Sequence, residues 1–318
     1  MRNIFVINPH SGKKRRQRKL IADIEAAASK LGLQCEVYYT KAAKDGERYI
    51  KEICEANAAR GEQLRIYACG GDGTINEAVN GAFGYENVEI GAVPMGTGND
   101  YIRNYGTATD FLDMERQLTG TSVSSDLIRY DAEYNGVTTS GYCANMFNIG
   151  FDCNVVDMTA RVKNWPLVGG TLAYLISVAI ILIRKKGADL RICYPDGRES
   201  DGKILLVAIA NGCYCGGGVK GVPYCKLDDG LMDVSVVENI SRSLFLALFP
   251  SYSKGTHMQK RAIREKHIIK YTKEKLLTVI ANGESLRLCT DGEITTQKKI
   301  DFSVVHDAFR FIVPAPAR

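Results

Sequence analysis

Apolar and polar positions over the first hundred residues set up an alternation of short strands and amphipathic helices. Ile4 to Ile7 is an apolar run closed by Asn8-Pro9. Leu20, Ile21, Ile24, Ala28 and Leu31 then repeat on one helical face as far as Gly32, a residue suited to a left-handed helix end. Leu33, Cys35, Val37 and Tyr39 alternate and predict a half-buried strand; residues 44–59 predict a helix, and Leu64 to Cys69 a strand that breaks at Gly70-Gly71. Thr74 to Asn80 reads as a helix and Glu89 to Val93 as a fourth strand ending at Pro94. Strand and helix units of this length predict a parallel sheet with helices on its faces, whose ligands bind beyond the carboxyl ends of the strands.

From about residue 126 the pattern turns β-rich, with apolar segments at Tyr142 to Ile149, Leu190 to Tyr194, Ile204 to Ala210, Met232 to Val237, Lys275 to Ile280, Ser285 to Cys289 and Ile300 to Val305. Asn135-Gly136, Asp196-Gly197 and Asn282-Gly283 supply turn signals between them. The expected architecture is α/β: a parallel-sheet domain over residues 1–126, a mainly antiparallel β domain over 127–299, and a segment, 300–318, that returns toward the first. Asn164 to Ile183 carries no charge and reaches the length of a membrane span. Pro166, Gly169, Gly170 and the polar recurrence of Thr171, Tyr174 and Ser177 favour an amphipathic helix packed on the core, with interfacial contact and a true span as the alternatives.

The 318 residues are 45% hydrophobic and 24% charged, which is globular composition and excludes a disordered chain. A net charge of +5 does not imply nucleic acid. Met1-Arg2-Asn3 leads directly into a strand pattern, so no signal peptide is expected, and the ten Cys are expected to be reduced in a cytoplasmic protein. Cys213-x-Cys215 with Cys225 lacks the paired spacing and fourth ligand of a zinc site.

Candidate chemistry lies where the first-domain strands end. Gly70-Gly71-Asp72-Gly73-Thr74-Ile75-Asn76-Glu77 sits between a strand and a helix, where backbone N–H groups and the helix dipole suit a phosphate. It is neither a Walker A loop nor a Rossmann fingerprint. Asp72 would repel bare phosphate, which suggests that it handles magnesium or a substrate hydroxyl; a glycine turn with an N-cap Asp is the plain alternative. Asn8-Pro9-His10-Ser11-Gly12-Lys13 and Pro94-Met95-Gly96-Thr97-Gly98-Asn99-Asp100 end two further strands at the same expected sheet edge.

In this order and spacing, Asn-Pro-x-Ser-Gly, Gly-Gly-Asp-Gly-Thr-x-Asn-Glu and Gly-Thr-x-Asn-Asp resemble the diacylglycerol kinase catalytic-domain family, which includes diacylglycerol kinases, sphingosine kinases and small bacterial lipid kinases. The resemblance extends through Asp126-Leu127-Ile128, the stretch Lys226 to Asp233, and Asp291-Gly292-Glu293. It implies a nucleotide-binding α/β domain, a C-terminal β-sandwich-like domain, and transfer of the γ-phosphoryl group of ATP to a lipid hydroxyl in a cleft between them, with diacylglycerol the first expectation and sphingoid bases, monoacylglycerol and phosphatidylglycerol open. Carried over by position, Asn8, Pro9, His10, Ser11, Gly12, Thr40, Gly71, Asp72, Gly73, Thr74, Ile75, Asn76, Glu77 and Thr97 contact ATP. Lys13 faces the phosphates, Asp72 and Asp126 organise Mg2+ and water, and Glu293 is the general base. For Glu293 the residues alone favour a hairpin turn.

The resemblance also implies a structural magnesium near Lys226 to Leu231, held by Asp229 and the Leu231 carbonyl. This sequence departs there, because Lys226 stands where an oxygen ligand is expected and an ammonium repels a cation. Lys163 is the nearest candidate for a further family lysine, at the cost of an alignment gap. NAD kinases share Gly-Gly-Asp-Gly-Thr without the other two loops, and a non-catalytic lipid-binding regulator is the remaining alternative. Six cations between Lys13 and Lys19, and eight Lys and Arg between Lys254 and Lys275, predict reversible contact with an anionic membrane surface. Oligomeric state is left open, a homodimer among the options.

Overall fold

The structure, a computed structural model, describes residues 1–162, 176–178, 180–181 and 187–317. In chain order its elements are β1 (Arg2–Ile7), α1 (Lys14–Leu31), β2 (Cys35–Tyr39), α2 (Asp45–Ala58), β3 (Leu64–Gly70), α3 (Asp72–Ala82) and β4 (Val88–Pro94). A 3-10 turn at Tyr101–Asn104 precedes α4 (Ala108–Leu112) and α5 (Met114–Leu118). Next come β5 (Thr121–Tyr134), β6 (Val137–Cys143), β7 (Met146–Gly150), α6 (Phe151–Val162), β8 (Ala188–Cys193), β9 (Glu199–Ala210) and β10 (Met232–Glu238). The chain continues through α7 (Arg242–Ser253), α8 (Arg261–Lys266), β11 (Ile269–Glu274), β12 (Leu276–Ala281), β13 (Leu286–Thr290), β14 (Glu293–Gln297) and β15 (Lys299–Val313). Two compact units result: Met1–Asp126 with His306–Arg318, and Leu127–Val305.

The first unit is built on a parallel sheet in the order β2, β1, β3, β4 and the far end of β15. Nearly every residue of β1, β3 and β4 is buried, as expected of parallel strands covered on both faces. Phe5, Ile7, Tyr67, Cys69 and Val93 form one core face with Leu20, Ile24 and Ala27 of α1. At the end of α1, Gly32 takes φ 66° and its N–H reaches back to the last turn, the left-handed stop the sequence predicts. The half-buried alternation expected of β2 holds at Leu33 and Cys35 and is lost further on: Val37 is 41% and Tyr39 47% exposed. Among the described residues β2 pairs only with β1; at this sheet edge Cys35, with Leu33 just before it, still packs against the core of the first unit, while Val37 and Tyr39 lie open.

The second unit is antiparallel throughout its paired strands, with β14, β13, β7, β9, β8, β12 and β15 in sequence and β10 and β11 extending from β9. Residues of β9 serve two cores: Ile204, Val207 and Ile209 join Phe147, Val234 and Val279, while Leu205, Leu206 and Ala208 join Phe151, Phe245 and Ile263, the alternation slipping at Leu205 and Leu206 where the pairing with β10 shifts register. This is a β-sandwich-like layering with helices over one face. The single β segment expected at 142–149 is divided between β6 and β7. Asn145 marks the break: its side chain donates to the Tyr214 carbonyl and its own carbonyl accepts from Asn211 and Gly212. Among the described residues no helix is long and apolar enough to cross a membrane. Most of the expected apolar helix at 164–183, and Lys163, lie outside the described residues.

Candidate functional site

In the first unit the loops after β1, β3 and β4 meet at the carboxyl ends of their strands. The Gly70 carbonyl accepts from the Met95 and Gly96 N–H groups, at 2.8 and 3.1 Å. Asn8 N–H donates to the Cys69 carbonyl at 3.0 Å, and Arg16 Nη2 donates to the Pro94 carbonyl at 2.8 Å. Glycine is required where backbones touch: an added methyl on Gly96 would stand 2.7 Å from Gly71 Cα, and one on Gly70 would collide with Thr74. Gly12 takes φ 75°, which itself favours glycine, and an added methyl there would stand 3.3 Å from Met95.

Asp72 opens α3 and locks two of these loops together. Its Oδ1 accepts the N–H groups of Asp100 (2.7 Å) and Tyr101 (3.0 Å). Burial pushes its carboxyl up, and those backbone bonds from Tyr101 and Asp100 oppose the rise. A methyl on Gly98 would meet Asp72 Oδ2 and Asp100 Oδ2, so a second carboxylate stands beside the first. The Asn99 side chain closes this loop by donating to the Gly96 carbonyl and accepting its N–H.

The remaining residues carried over to ATP differ in what they present. Asn8 Oδ1 accepts the His10 N–H, and Gln17 holds the Pro9 and Ser11 carbonyls. Lys13 is exposed and its carbonyl starts α1. Thr40 is buried, with its N–H on Ile7, and Thr97 is exposed. Ile75 is 4% exposed, so its side chain belongs to the core. Asn76 is bound by Asn80 of the next turn. Both Glu77 oxygens accept backbone N–H groups, from Lys44 and Gly46, which fixes the start of α2.

Asp126 is fully buried, and its Oδ1 lies 2.7 Å from His306 Nδ1 and accepts the Asp307 N–H at 2.9 Å. Asp307 takes φ 50° to present that N–H. One ligand atom each from Asp126, His306 and Asp307 fit within 4.8 Å of one another, the only such group of three among the described residues. Carboxylate oxygens of this kind fit Mg2+. Sequence reasoning missed His306 and Asp307, which are 180 residues or more from Asp126.

In the second unit Glu293 is exposed at the start of β14. Asp291 and Gly292, with φ of 45° and 98°, form the two-residue turn that the residues alone favour. Asp291 anchors that turn by accepting the Met146 N–H and the Cys143 thiol. Asp229 Oδ1 accepts the Leu231 N–H at 3.2 Å, and its Oδ2 accepts Lys273 Nζ at 2.7 Å. Lys273 also donates to Asp233 Oδ2 at 3.1 Å. Burial opposes charge on Lys273, but the hydrogen bonds to Asp229 and Asp233 outweigh it and the ammonium's pKa is raised. The residues near Asp229 therefore do not fit a bound magnesium, and the cation responsible is Lys273; Lys226 is exposed.

Residues 2–130 match the diacylglycerol kinase catalytic domain, and residues 145–313 match the YegS C-terminal NAD kinase beta sandwich-like domain. The chain is 30% identical over 305 residues, 92% of each sequence, to a probable lipid kinase YegS-like protein of Xanthomonas oryzae pv. oryzae. It is 29% identical over 301 residues to a diacylglycerol kinase of Staphylococcus carnosus, covering 94% of this chain and 90% of that one. Its fold is that of a crystal structure of a diacylglycerol kinase from Bacillus anthracis str. Sterne, with a TM-score of 0.69 at 19% identity over 99% of this chain and 97% of that one. By both domains, the chain belongs to the diacylglycerol kinase catalytic-domain family, phosphotransferases that act on an alcohol acceptor.

Proposed function

We propose that this enzyme transfers the γ-phosphoryl group of ATP to the hydroxyl of diacylglycerol, giving phosphatidic acid. The convergence of three strand-end loops, with Asp72 bonded to the third, is the observation that carries the reading. Curated relatives named diacylglycerol kinase support the acceptor. Relatives named lipid kinase without a stated acceptor keep the other hydroxyl lipids as the second reading.

In this reading the turn from Asn8 to Gly12, Thr40, the Gly71 to Glu77 stretch and Thr97 hold the nucleotide. Ile75 and Glu77 contribute through the backbone course they fix. Lys13 offsets charge on the transferring phosphoryl group, and Glu293 takes the proton of the attacking hydroxyl. Asp72 and Asp126 would hold the ion, the His306 ring and the Asp307 N–H keeping Asp126 in place. Bound Mg2+ would offset the negative charge of the phosphates. Lys14, Arg15 and Arg18 at the start of α1 are exposed and would meet an anionic membrane surface from the cytoplasmic side.

The test is transfer from labelled ATP to diacylglycerol, sphingosine, monoacylglycerol, phosphatidylglycerol and NAD in parallel, with Asp72→Asn beside the wild type. Label on diacylglycerol, reduced at least 100-fold in the variant, is the expected result. Equal incorporation by both proteins removes the proposed site.

A further inference from the structure

In this family a divalent ion near Asp229 would brace the loop that enters β10. The carboxylates here already carry a full set of donors. Asp233 is completely buried on β10 and stands opposite Lys273 of β11 in the antiparallel register. Its Oδ1 accepts the Tyr271 hydroxyl at 2.6 Å and its Oδ2 accepts Lys273 Nζ. Asp229 divides its oxygens between the Leu231 N–H and the same Nζ. Every carboxylate oxygen of the pair therefore meets a hydrogen-bond donor, and the one positive charge between them is supplied by the chain itself.

An ammonium at hydrogen-bond distance from both carboxylates repels a divalent ion and already supplies positive charge there. The Lys273 side chain is 30% exposed, whereas Asp233 is at 0%, so the ammonium enters from the rim and neutralises the deeper carboxylate. We propose that Lys273 is a built-in structural cation: bridging Asp229 and Asp233, it supplies the positive charge that a divalent ion on Asp229 and the Leu231 carbonyl would bring, and makes this loop independent of metal. The inference does not depend on which alcohol the enzyme phosphorylates.

Thermal unfolding of the nucleotide-free full chain tests it, with EDTA, Mg2+ or Ca2+ and three variants: Lys273→Met, Asp229→Asn, and the two combined. Lys273→Met keeps the side-chain length and removes the charge. It leaves two carboxylates facing each other, and the midpoint in EDTA is expected to fall on the order of 5–15 °C. Millimolar Ca2+ or Mg2+ should restore much of that loss in a saturable way, and the combined variant should show no such recovery. Wild type should show no divalent response that Asp229→Asn removes.

Two results overturn the proposal. One is a wild-type midpoint that rises with divalent ion and loses that rise in Asp229→Asn. The other is a Lys273→Met protein that gains no divalent response. Should Lys273→Met fail to fold, equilibrium dialysis with Mn2+ decides on folded proteins. Equal stoichiometry for wild type and Asp229→Asn supports the built-in cation, and one ion fewer in Asp229→Asn refutes it.

Discussion

Replacing Gly96 by Ala isolates the meeting of the β3 and β4 loops from any change in charge. The new methyl would lie 2.7 Å from Gly71 Cα, 3.1 Å from Asn99 Oδ1 and 3.2 Å from Gly71 N. Carbon atoms rest at about 3.5–4.0 Å, so the two loops must part by roughly 1 Å, and the main obstacle is backbone that no rotamer change can move aside. Overpacking of this kind costs about 1–3 kcal/mol, against about 0.4–1 kcal/mol that Ala returns by restricting the unfolded chain. Strain therefore wins, and the thermal midpoint should fall by a few degrees, roughly 2–4 °C per kcal/mol lost. Activity should fall further than stability, because a displacement near 1 Å at a phosphoryl-transfer site costs about 100-fold in rate. The measurements are kcat/KM with diacylglycerol and thermal unfolding, beside Gly283→Ala, where the methyl meets nothing within 4 Å. A Gly96→Ala enzyme within threefold of wild-type kcat/KM would refute the reasoning that these loops jointly hold the nucleotide.

Other expectations concern protons and the base. His257 is fully buried, and burial holds its imidazole down at about 4, so the native state carries it neutral while the unfolded chain takes a proton below pH 6.5. Stability should be full above that pH and fall by about 3 kcal/mol between pH 6.5 and 4, a slope that His257→Phe should flatten in urea titrations. Arg48 and the Lys41 N–H hold Asp45 down at about 2 from 3.8. Its contribution should be intact above pH 4 and vanish as pH falls through 2, a loss that Asp45→Asn should not show in acid unfolding. Glu293→Gln should lower kcat about 100- to 10,000-fold with KM for ATP little changed, and a variant with wild-type kcat excludes Glu293 as the base.

Strand–helix alternation made β1, α1, α2, β3, α3 and β4 legible because each buries a regular stripe against one sheet. β2 kept its position but only the first half of its expected face, Leu33 and Cys35, since an alternating pattern cannot reveal that a strand will lie at an edge. β11 and β14 are not legible: the first lies in a cationic stretch, the second is short and mostly exposed. The loop motifs held the local chemistry of Gly70 to Thr74. They could not show that Glu77 spends both oxygens on the start of α2, because that depends on where residues 44–46 fold back. Lys273 did leave a trace, as a charge on the face of β11 that Ile269 and Tyr271 turn toward the core. His306 left none, because its partner Asp126 is fixed by long-range packing and no local pattern encodes the pair.

That late arrival has a consequence for synthesis. Phe311 and Ile312 are fully buried in the first unit, Phe311 against Tyr101, Tyr105 and Phe111, and Arg310 and Phe311 align with Glu89 and Ile90 of β4. A ribosome adding about 5–20 residues per second needs roughly 10–40 s to travel the 180 positions from Asp126 to His306. Throughout that interval the nascent first unit has an unzipped sheet margin, an uncovered aromatic cluster and a carboxylate without its imidazole. The polypeptide thus delays completion of its own first unit until the second unit's sequence has emerged.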